Sequence, residues 1–231
     1  MQKIRNPFKQ LNRFEWTLWA VSAIIVIAAF LIPEKKDIPS LVASLIGVTA
    51  LIFVAKGMVL GQALTVVFAV GYGIVSWSQK YYGEMITYLC MSAPMAISAI
   101  VSWVKHPYKD SAEVQVSKLS KKAWLFLSLA SLLVTVAFYF ILKALGTANL
   151  PVSTLSVTTS FFAASLTFLR SPYYALGYTA NDVVLIVLWV FSAVADLSYL
   201  PMVLCFVMFL LNDLYGFFNW KRMEKRQAKD E

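Results

Sequence analysis

The sequence predicts an all-α integral membrane protein with about eight transmembrane helices: two parallel three-helix repeats joined by a linker helix, with an extra first helix before them. Three observations predict this fold class. Hydrophobic residues make up 60% of the chain and charged residues only 14%, which excludes a water-soluble domain of ordinary surface chemistry. The apolar residues lie in runs of about 20, the length that crosses a hydrocarbon core. Lys and Arg are largely confined to short clusters between these runs.

Each helix is predicted from one apolar run, because about 20 residues span a core of about 30 Å. The runs lie at residues 15–33, 39–56, 58–79, 82–104, 122–144, 150–170, 173–196 and 199–220. The second and third are separated only near Lys56, so their common boundary is open to more than one placement. No small-residue cleavage pattern follows the first run, so we expect it to be a retained helix and not a removed signal.

The distribution of Lys and Arg predicts the orientation, because cytoplasmic loops of membrane proteins are enriched in these residues. An even number of helices puts both termini on the same side. That side carries Lys3, Arg5, Lys9, Arg13, Lys56, Lys105, Lys109, Lys118, Lys121, Lys122, Arg170, Lys221, Arg222, Lys225, Arg226 and Lys229. The other side carries only Lys35, Lys36, Lys80 and Lys143. We therefore expect a multi-pass protein of the cell (inner) membrane with both termini cytoplasmic, and we assign the basic clusters to membrane topology, not to nucleic-acid binding.

An internal repeat is predicted from two pairs of segments. "LGQALTVV" from residue 60 is similar to "LGYTANDVV" from residue 176, and an offset of 117 aligns Trp103 with Trp220 and Tyr72 with Trp189. Corresponding helices are four apart and run in the same direction, as in transporters of the SWEET type. The predicted units are an N-terminal segment with the extra helix (1–38), the first repeat (39–104), the loop and linker helix (105–149), the second repeat (150–220) and a basic tail (221–231).

Polar side chains inside the predicted helices indicate a ligand site, because hydrocarbon tolerates them mainly where they face a bundle interior or a watery cavity. Amides suit sugar hydroxyls or heterocycle amides, and aromatic faces suit planar or cationic rings. The candidate ligand-binding residues are Gln62, Tyr72, Tyr178, Asn181, Asp182, Trp189, Asn212 and Tyr215.

Several other polar and aromatic residues are expected to have structural roles. We expect most hydroxyls of the sixth helix to bond backbone or neighbouring helices, and Trp103 and Trp220 to be interfacial anchors. Glu84 and Asp196 lie near predicted helix ends, where we expect water to solvate them. Asp213 is expected near the cations of the tail.

Enzymatic chemistry is not predicted. The single His106 has no surrounding Cys or carboxylate pattern, and Cys90 and Cys205 lie apart within apolar runs. No glycine-rich phosphate loop is present in the sequence, so no cofactor and no ATP-driven step are expected within this chain.

Two motifs carry a family resemblance. "LLNDLYGFFNW" followed by basic residues, and "NDVVLIVLW" from 181 to 189, together with the repeat, resemble the PnuC-type vitamin transporters over about residues 39–225. Many members carry two tryptophans where this chain has Tyr174 and Gly177, so thiamine, riboflavin and nucleosides stay open as substrates beside nicotinamide riboside.

The resemblance implies a facilitator in the lipid bilayer that lets an unphosphorylated vitamin equilibrate, most simply nicotinamide riboside, by alternating access. A cytoplasmic kinase would trap the vitamin as a phosphate, and the chain would form homotrimers. It also implies a midplane pocket in which Asn181, Asn212 and Gln62 bond the ligand while Trp189 and Tyr72 stack on its ring. A non-transporting membrane scaffold or receptor subunit is the alternative from another functional class.

Overall fold

The computed structural model describes residues 6–34, 36, 38–78, 82–147 and 149–230. In this part of the chain the architecture is all-helical and strands are absent, which confirms the predicted all-α fold with about eight helices. The long helices are α1 (Arg13–Leu31), α2 (Ile38–Ala55), α3 (Val59–Ser78), α4 (Tyr82–Lys105), α5 (Lys121–Ala144), α6 (Leu150–Phe168), α7 (Tyr174–Ala195) and α8 (Leu200–Gln227). Seven are long and apolar enough to cross a membrane. The other, α6, has comparable length, but its many hydroxyl residues lower its hydropathy.

The chain folds back at nearly identical turns after α2 and α6. Gly57 has φ +66° and donates its N–H to Val54 O at 2.8 Å. Arg170 has φ +57° and donates its N–H to Thr167 O at 3.0 Å. A left-handed residue after the last helical turn satisfies carbonyls that the helix itself leaves free. Glycine adopts this conformation without strain, whereas arginine does not.

Helix α4 contains an irregular turn. Residues Thr87–Ser92 are π-helical, and Ala93 N–H bonds Tyr88 O. Pro94 follows directly and has no N–H to continue the regular ladder. Such π turns inside α-helices often occur at functional sites, and this one carries Tyr88 into the interior of the bundle.

The helices pack as two groups that contact each other crosswise. Helix α3 lies between α2 and α4, and α7 lies between α6 and α8. Across the groups, α2 packs on α8 and α4 packs on α6, while α1 packs on both α2 and α8. Helix α5 packs chiefly on α6, and its outer face is apolar and open, with Phe126 75% and Leu133 71% exposed. Such a face is compatible with lipid.

Both described ends of the chain lie at one end of the bundle, which we call the basic end. There residues 106–120, called the strap, cross between the two turns. Val114 N–H donates to Gly57 O at 2.9 Å, and Ser117 N–H donates to Arg170 O at 3.0 Å. The strap therefore links the two groups of helices.

Helix α8 extends past residue 220, where the sequence predicted its end, to Gln227. The amide of Gln227 donates to Val114 O at 3.1 Å and accepts from Val116 N–H at 2.7 Å. Arg226 pairs with Glu113 of the strap. These partners hold the first part of the predicted tail in helical form.

Two tryptophans predicted as interfacial anchors are core residues. Trp103 and Trp220 are 1% and 0% exposed, and their ring centroids lie 5.4 Å apart. Trp103 Nε1–H donates to Thr167 O at 3.0 Å, and Trp220 Nε1–H donates to Val54 O at 2.9 Å. The prediction was wrong because the helix ends are covered by the strap and by α8.

Candidate functional site

A cavity of about 810 Å³ opens at the end of the bundle opposite the basic end. Its walls come from α1, α2, α3, α7 and α8, so both groups of helices and the extra helix contribute. Residues reaching its deeper part include Val26, Ser44, Val75, Trp189 and Met202. A cavity of this size accommodates a small organic molecule.

An aromatic cluster adjoins this cavity. Trp189 lines it and donates its Nε1–H to the Tyr72 hydroxyl at 2.9 Å. The ring of Tyr88 lies 4.3 Å from that of Tyr72, and Tyr72 and Trp189 are almost completely buried. The structure thus brings together the two residues predicted to stack on a ligand and adds Tyr88 to them.

Glu84 is a candidate site residue that the sequence did not identify. It was expected to be solvated, but it is only 3% exposed. Ser156 Oγ donates to its Oε1 at 3.2 Å, and its Oε2 has no hydrogen-bond partner in the described part of the chain. The expectation failed because α6 packs over the beginning of α4 and excludes water. The proximity of Glu84 to Tyr72 and Tyr88 places a carboxyl group beside the aromatic cluster.

Asn181 is fixed by two hydroxyls of α6. Thr159 Oγ1 and Ser160 Oγ each donate to Asn181 Oδ1 at 2.9 Å. In this arrangement the amide oxygen of Asn181 faces the hydroxyls of α6, and its Nδ2 faces away from them. Its Nδ2 makes no hydrogen bond to another described residue, so two N–H donors are available for a ligand.

Asp182 and Asp213 lie next to each other between α7 and α8. Both are 3% exposed, their carboxyl groups interact directly, and Oδ2 of Asp182 has no partner within the described ranges. Tyr88 is close enough to interact with Asp182. Asp213 is therefore a core neighbour of Asp182, and the expected placement beside the tail cations was wrong.

Asn212 and Tyr215 contact the extra helix. Asn212 Nδ2 donates to Ser22 Oγ of α1 at 3.0 Å and to Met208 O at 2.8 Å, while its buried Oδ1 has no partner among the described residues. The Tyr215 hydroxyl donates to Glu15 Oε1 of α1 at 2.7 Å. Of these two predicted ligand contacts, Asn212 retains a free acceptor and Tyr215 is engaged in docking α1.

Gln62 and Tyr178 lie nearer the basic end. Gln62 is buried in the first turn of α3, about 15 Å along the axis from Tyr72 at 1.5 Å per residue. Tyr178 is half-buried, one turn before Asp182, and its ring packs on that of Tyr174 at 6.2 Å. The eight predicted residues thus occupy several levels of the bundle and do not form one ring.

The deep part of the bundle is acidic and polar. None of the described Lys or Arg side chains is fully buried, whereas Glu84, Asp182 and Asp213 are. No group of three or more His, Cys, Asp or Glu side chains suited to a metal ion occurs among the residues searched. The arrangement can hold an aromatic ring, donate two amide N–H bonds and face a positive charge.

Comparison with known proteins gives a consistent set of similarities. The profile of the family described as "Nicotinamide mononucleotide transporter" matches residues 37–222. The nicotinamide riboside transporter PnuC of Neisseria mucosa is 27% identical over 230 residues, covering 97% of this chain and 87% of the relative. PnuC of Haemophilus influenzae is 26% identical over 189 residues, covering 81% and 80%. A crystal structure of the vitamin B3 transporter PnuC superimposes with a TM-score of 0.82 at 26% identity, covering 94% of each chain.

Proposed function

Because this chain belongs to the nicotinamide mononucleotide transporter family, we propose that it is a membrane transporter for unphosphorylated nicotinamide riboside. The name of the family refers to the phosphorylated nucleotide, while its curated relatives are named for the riboside. The two compounds differ by one phosphate group, which adds negative charge. The charge of the protein interior therefore decides which of them can bind there.

One observation carries the choice of the riboside. The buried polar groups near the aromatic cluster are carboxyls, amides and hydroxyls, with no described cation among them. Lys36 lines the open cavity but is exposed, and its Nζ bonds Leu31 O and Pro33 O. A phosphate entering this region would lose its hydration without gaining a positive partner. The pyridinium ring of nicotinamide riboside would instead gain about 0.5–2 kcal/mol over an aromatic face, and carboxyls nearby would favour its charge.

The proposed mechanism is alternating access between the two groups of helices. The repeat proposed from the sequence is supported by two contacts between equivalent residues: Tyr72 with Trp189, and Trp103 with Trp220. We place the riboside between the open cavity and Asn181, with Tyr72, Trp189 and Asp182 around it. Rocking of the two groups would close the cavity and open the basic end.

The proposal includes an orientation in the membrane, a passive mode of transport and an oligomeric state. Both termini and the strap lie on the cytoplasmic side of the cell (inner) membrane, as the Lys and Arg distribution supports. Transport is passive and no catalytic step is involved, so a cytoplasmic kinase that phosphorylates the vitamin would make uptake unidirectional. The chain forms a homotrimer in the bilayer, which light scattering of detergent-purified protein would test.

The experiment is calorimetry of the purified protein with nicotinamide riboside, nicotinamide mononucleotide, thiamine, riboflavin and a plain nucleoside at matched concentrations. We expect saturable binding of the riboside and rejection of its phosphate. Preference for another of these solutes would keep the transporter and change its substrate. Binding of none by a folded sample would favour the scaffold or receptor alternative.

A further inference from the structure

A second cavity lies at the basic end, remote from the proposed transport site. It measures about 300 Å³ and lies between the strap, the turn after α6 and the end of α8. Its walls are mixed, with the apolar Val116 and Ala228 beside two cations, Arg170 and Lys118, and His106. Glu224 is the acidic residue of the wall, and Lys221 Nζ pairs with its Oε2 at 2.7 Å.

Arg170 has unused hydrogen-bonding capacity. Its Nε is buried and finds no partner among the described residues. Neither Arg170 nor Lys118 forms an ion pair with a described acidic residue. Burial lowers the pKa of the Arg170 guanidinium, and a bound anion would offset this cost of desolvation.

The backbone at Arg170 argues against a merely structural role. Its equivalent in the other group of helices is Gly57, which makes the same turn with nearly the same φ. Glycine is the residue that this left-handed position ordinarily takes. An arginine here accepts backbone strain, and what it adds is a guanidinium at the wall of the cavity.

The strap brings the second cation to the first. Ser117 N–H donates to Arg170 O at 3.0 Å, and Lys118 is the next residue in the chain. A guanidinium and an ammonium around one cavity match the oxygen atoms of a phosphate group, because charge-assisted hydrogen bonds to phosphate are among the strongest in proteins.

We propose that Arg170 and Lys118 form a binding site for a phosphate group at the basic end, with His106, Gln115 and Ser117 lining it. An occupied site would join the strap to the turn after α6 and so stabilise the closed arrangement of this end. The phosphate group could belong to a soluble phosphate or phosphomonoester, or to the headgroup of an anionic lipid.

The first arm of the test uses inorganic phosphate. Thermal unfolding and calorimetry of the full chain in lipid-free detergent are compared between phosphate and chloride at matched ionic strength. Arg170→Gly and Arg170→Gln remove the guanidinium, and glycine suits the left-handed turn, so the first variant should fold at least as well as the parent. Lys225→Gln, an exposed cation on α8 outside the cavity wall, is the control.

The second arm uses nanodiscs of phosphatidylcholine with or without phosphatidic acid. In one arm, we expect phosphate or phosphatidic acid to stabilise the parent and Lys225→Gln saturably. The affinity read from this stabilisation should be weaker by about tenfold or more in both Arg170 variants. An effect of inorganic phosphate assigns the site to soluble phosphates, and an effect of phosphatidic acid alone assigns it to lipid. Absence of an Arg170-dependent effect in both arms, or an equal loss in Lys225→Gln, would overturn the proposal. The outcome is independent of riboside binding.

Discussion

At the level of single residues, the interior is notable for buried polar atoms that lack partners. Oε2 of Glu84, Oδ2 of Asp182 and Oδ1 of Asn212 are unpaired within the described chain. Each unsatisfied buried group costs about 1–3 kcal/mol. A ligand that supplies the missing partners would recover this free energy, so these atoms are the natural places to test binding.

Replacing Asn181 by leucine should weaken nicotinamide riboside binding about 10-fold to 100-fold, because the variant loses both amide N–H donors. Calorimetry of the purified variant measures the change. Thr159→Val is the matched control: it removes one of the two hydroxyls that orient the amide, so its effect should be smaller. An Asn181→Leu protein that binds as tightly as the parent would remove Asn181 from the site.

Glu84→Gln should show whether the site recognises the positive charge of the riboside separately from the shape of the molecule. Glutamine keeps an oxygen to accept the Ser156 hydrogen bond but cannot carry a negative charge. Affinity for the cationic riboside should fall about tenfold, while weak binding of an uncharged nucleoside should change little. Competition binding with both compounds provides the measurement. Equal changes for the two would show that the charge of Glu84 does not face the ligand.

Asn212→Leu should abolish riboside binding while expression stays near normal, because the variant loses the buried Oδ1 that is left to accept a hydrogen bond from the ligand. Ser22→Ala is the appropriate control, because it removes the partner of Asn212 on α1 and leaves the amide in place. Binding by Ser22→Ala at the parent level, with none by Asn212→Leu, is the expected result. A parallel loss in both variants would assign Asn212 to docking of α1.

At the level of elements, α1 is attached to both groups of helices by polar contacts. Trp19 Nε1–H donates to Thr49 Oγ1 of α2 at 3.0 Å. Glu15, 1% exposed, accepts from Lys56 Nζ at 3.0 Å and from the Tyr215 hydroxyl at 2.7 Å. Because Lys56 follows α2 and Tyr215 lies on α8, a single carboxylate joins both groups to the extra helix.

Lys56→Met should lower the free energy of unfolding by about 3 kcal/mol, because it leaves the buried Glu15 without its cation. The double variant Glu15→Gln with Lys56→Met should recover much of the loss, since the uncompensated charge is then gone. Tryptophan fluorescence during thermal or chemical unfolding in detergent measures both. Equal stability of the single and double variants would mean that the Tyr215 hydroxyl and the Asn12 N–H suffice to stabilise the Glu15 carboxylate.

At the level of the whole molecule, the two ends of the bundle differ. The cavity is open at one end, while the strap, α8 and the Trp103–Trp220 pair close the basic end. Each tryptophan bonds a carbonyl of the other group: Trp103 reaches Thr167, and Trp220 reaches Val54. These contacts join the two groups of helices at the basic end, so we expect them to break when that end opens.

Changing both tryptophans to phenylalanine should shift the population towards opening of the basic end, since two hydrogen bonds of about 1 kcal/mol each are lost. The readout is the rate at which a water-soluble maleimide labels Ser44→Cys in the open cavity, with Cys90 and Cys205 replaced by alanine. Labelling should slow in the double variant. Trp77→Phe, at an exposed tryptophan of α3, is the control; no difference from it would exclude this gating role.

The helices themselves were largely predictable from the sequence. For seven of the eight helices, α1 (Arg13–Leu31) to α7 (Tyr174–Ala195), both ends lie within two residues of the predicted ends. The reason is that the thickness of the hydrocarbon core imposes a length and a composition on each helix. Only the end of α8 was placed far from its position. Its last turns are held by polar contacts with the strap, from Gln227 to backbone groups and from Arg226 to Glu113, and such contacts leave no apolar run in the sequence.

The partners of the buried polar residues were decided by tertiary structure. The sequence by itself determined that Asn181, Asp182 and Asn212 must avoid lipid, since hydrocarbon cannot satisfy them. Helical periodicity gives the face of the helix on which a side chain lies but not the helix that packs against that face. Only the packing places Asn212 against α1, Asp213 beside Asp182 and Glu84 in the core. These choices depend on which helices touch, and that is a property of the assembled bundle.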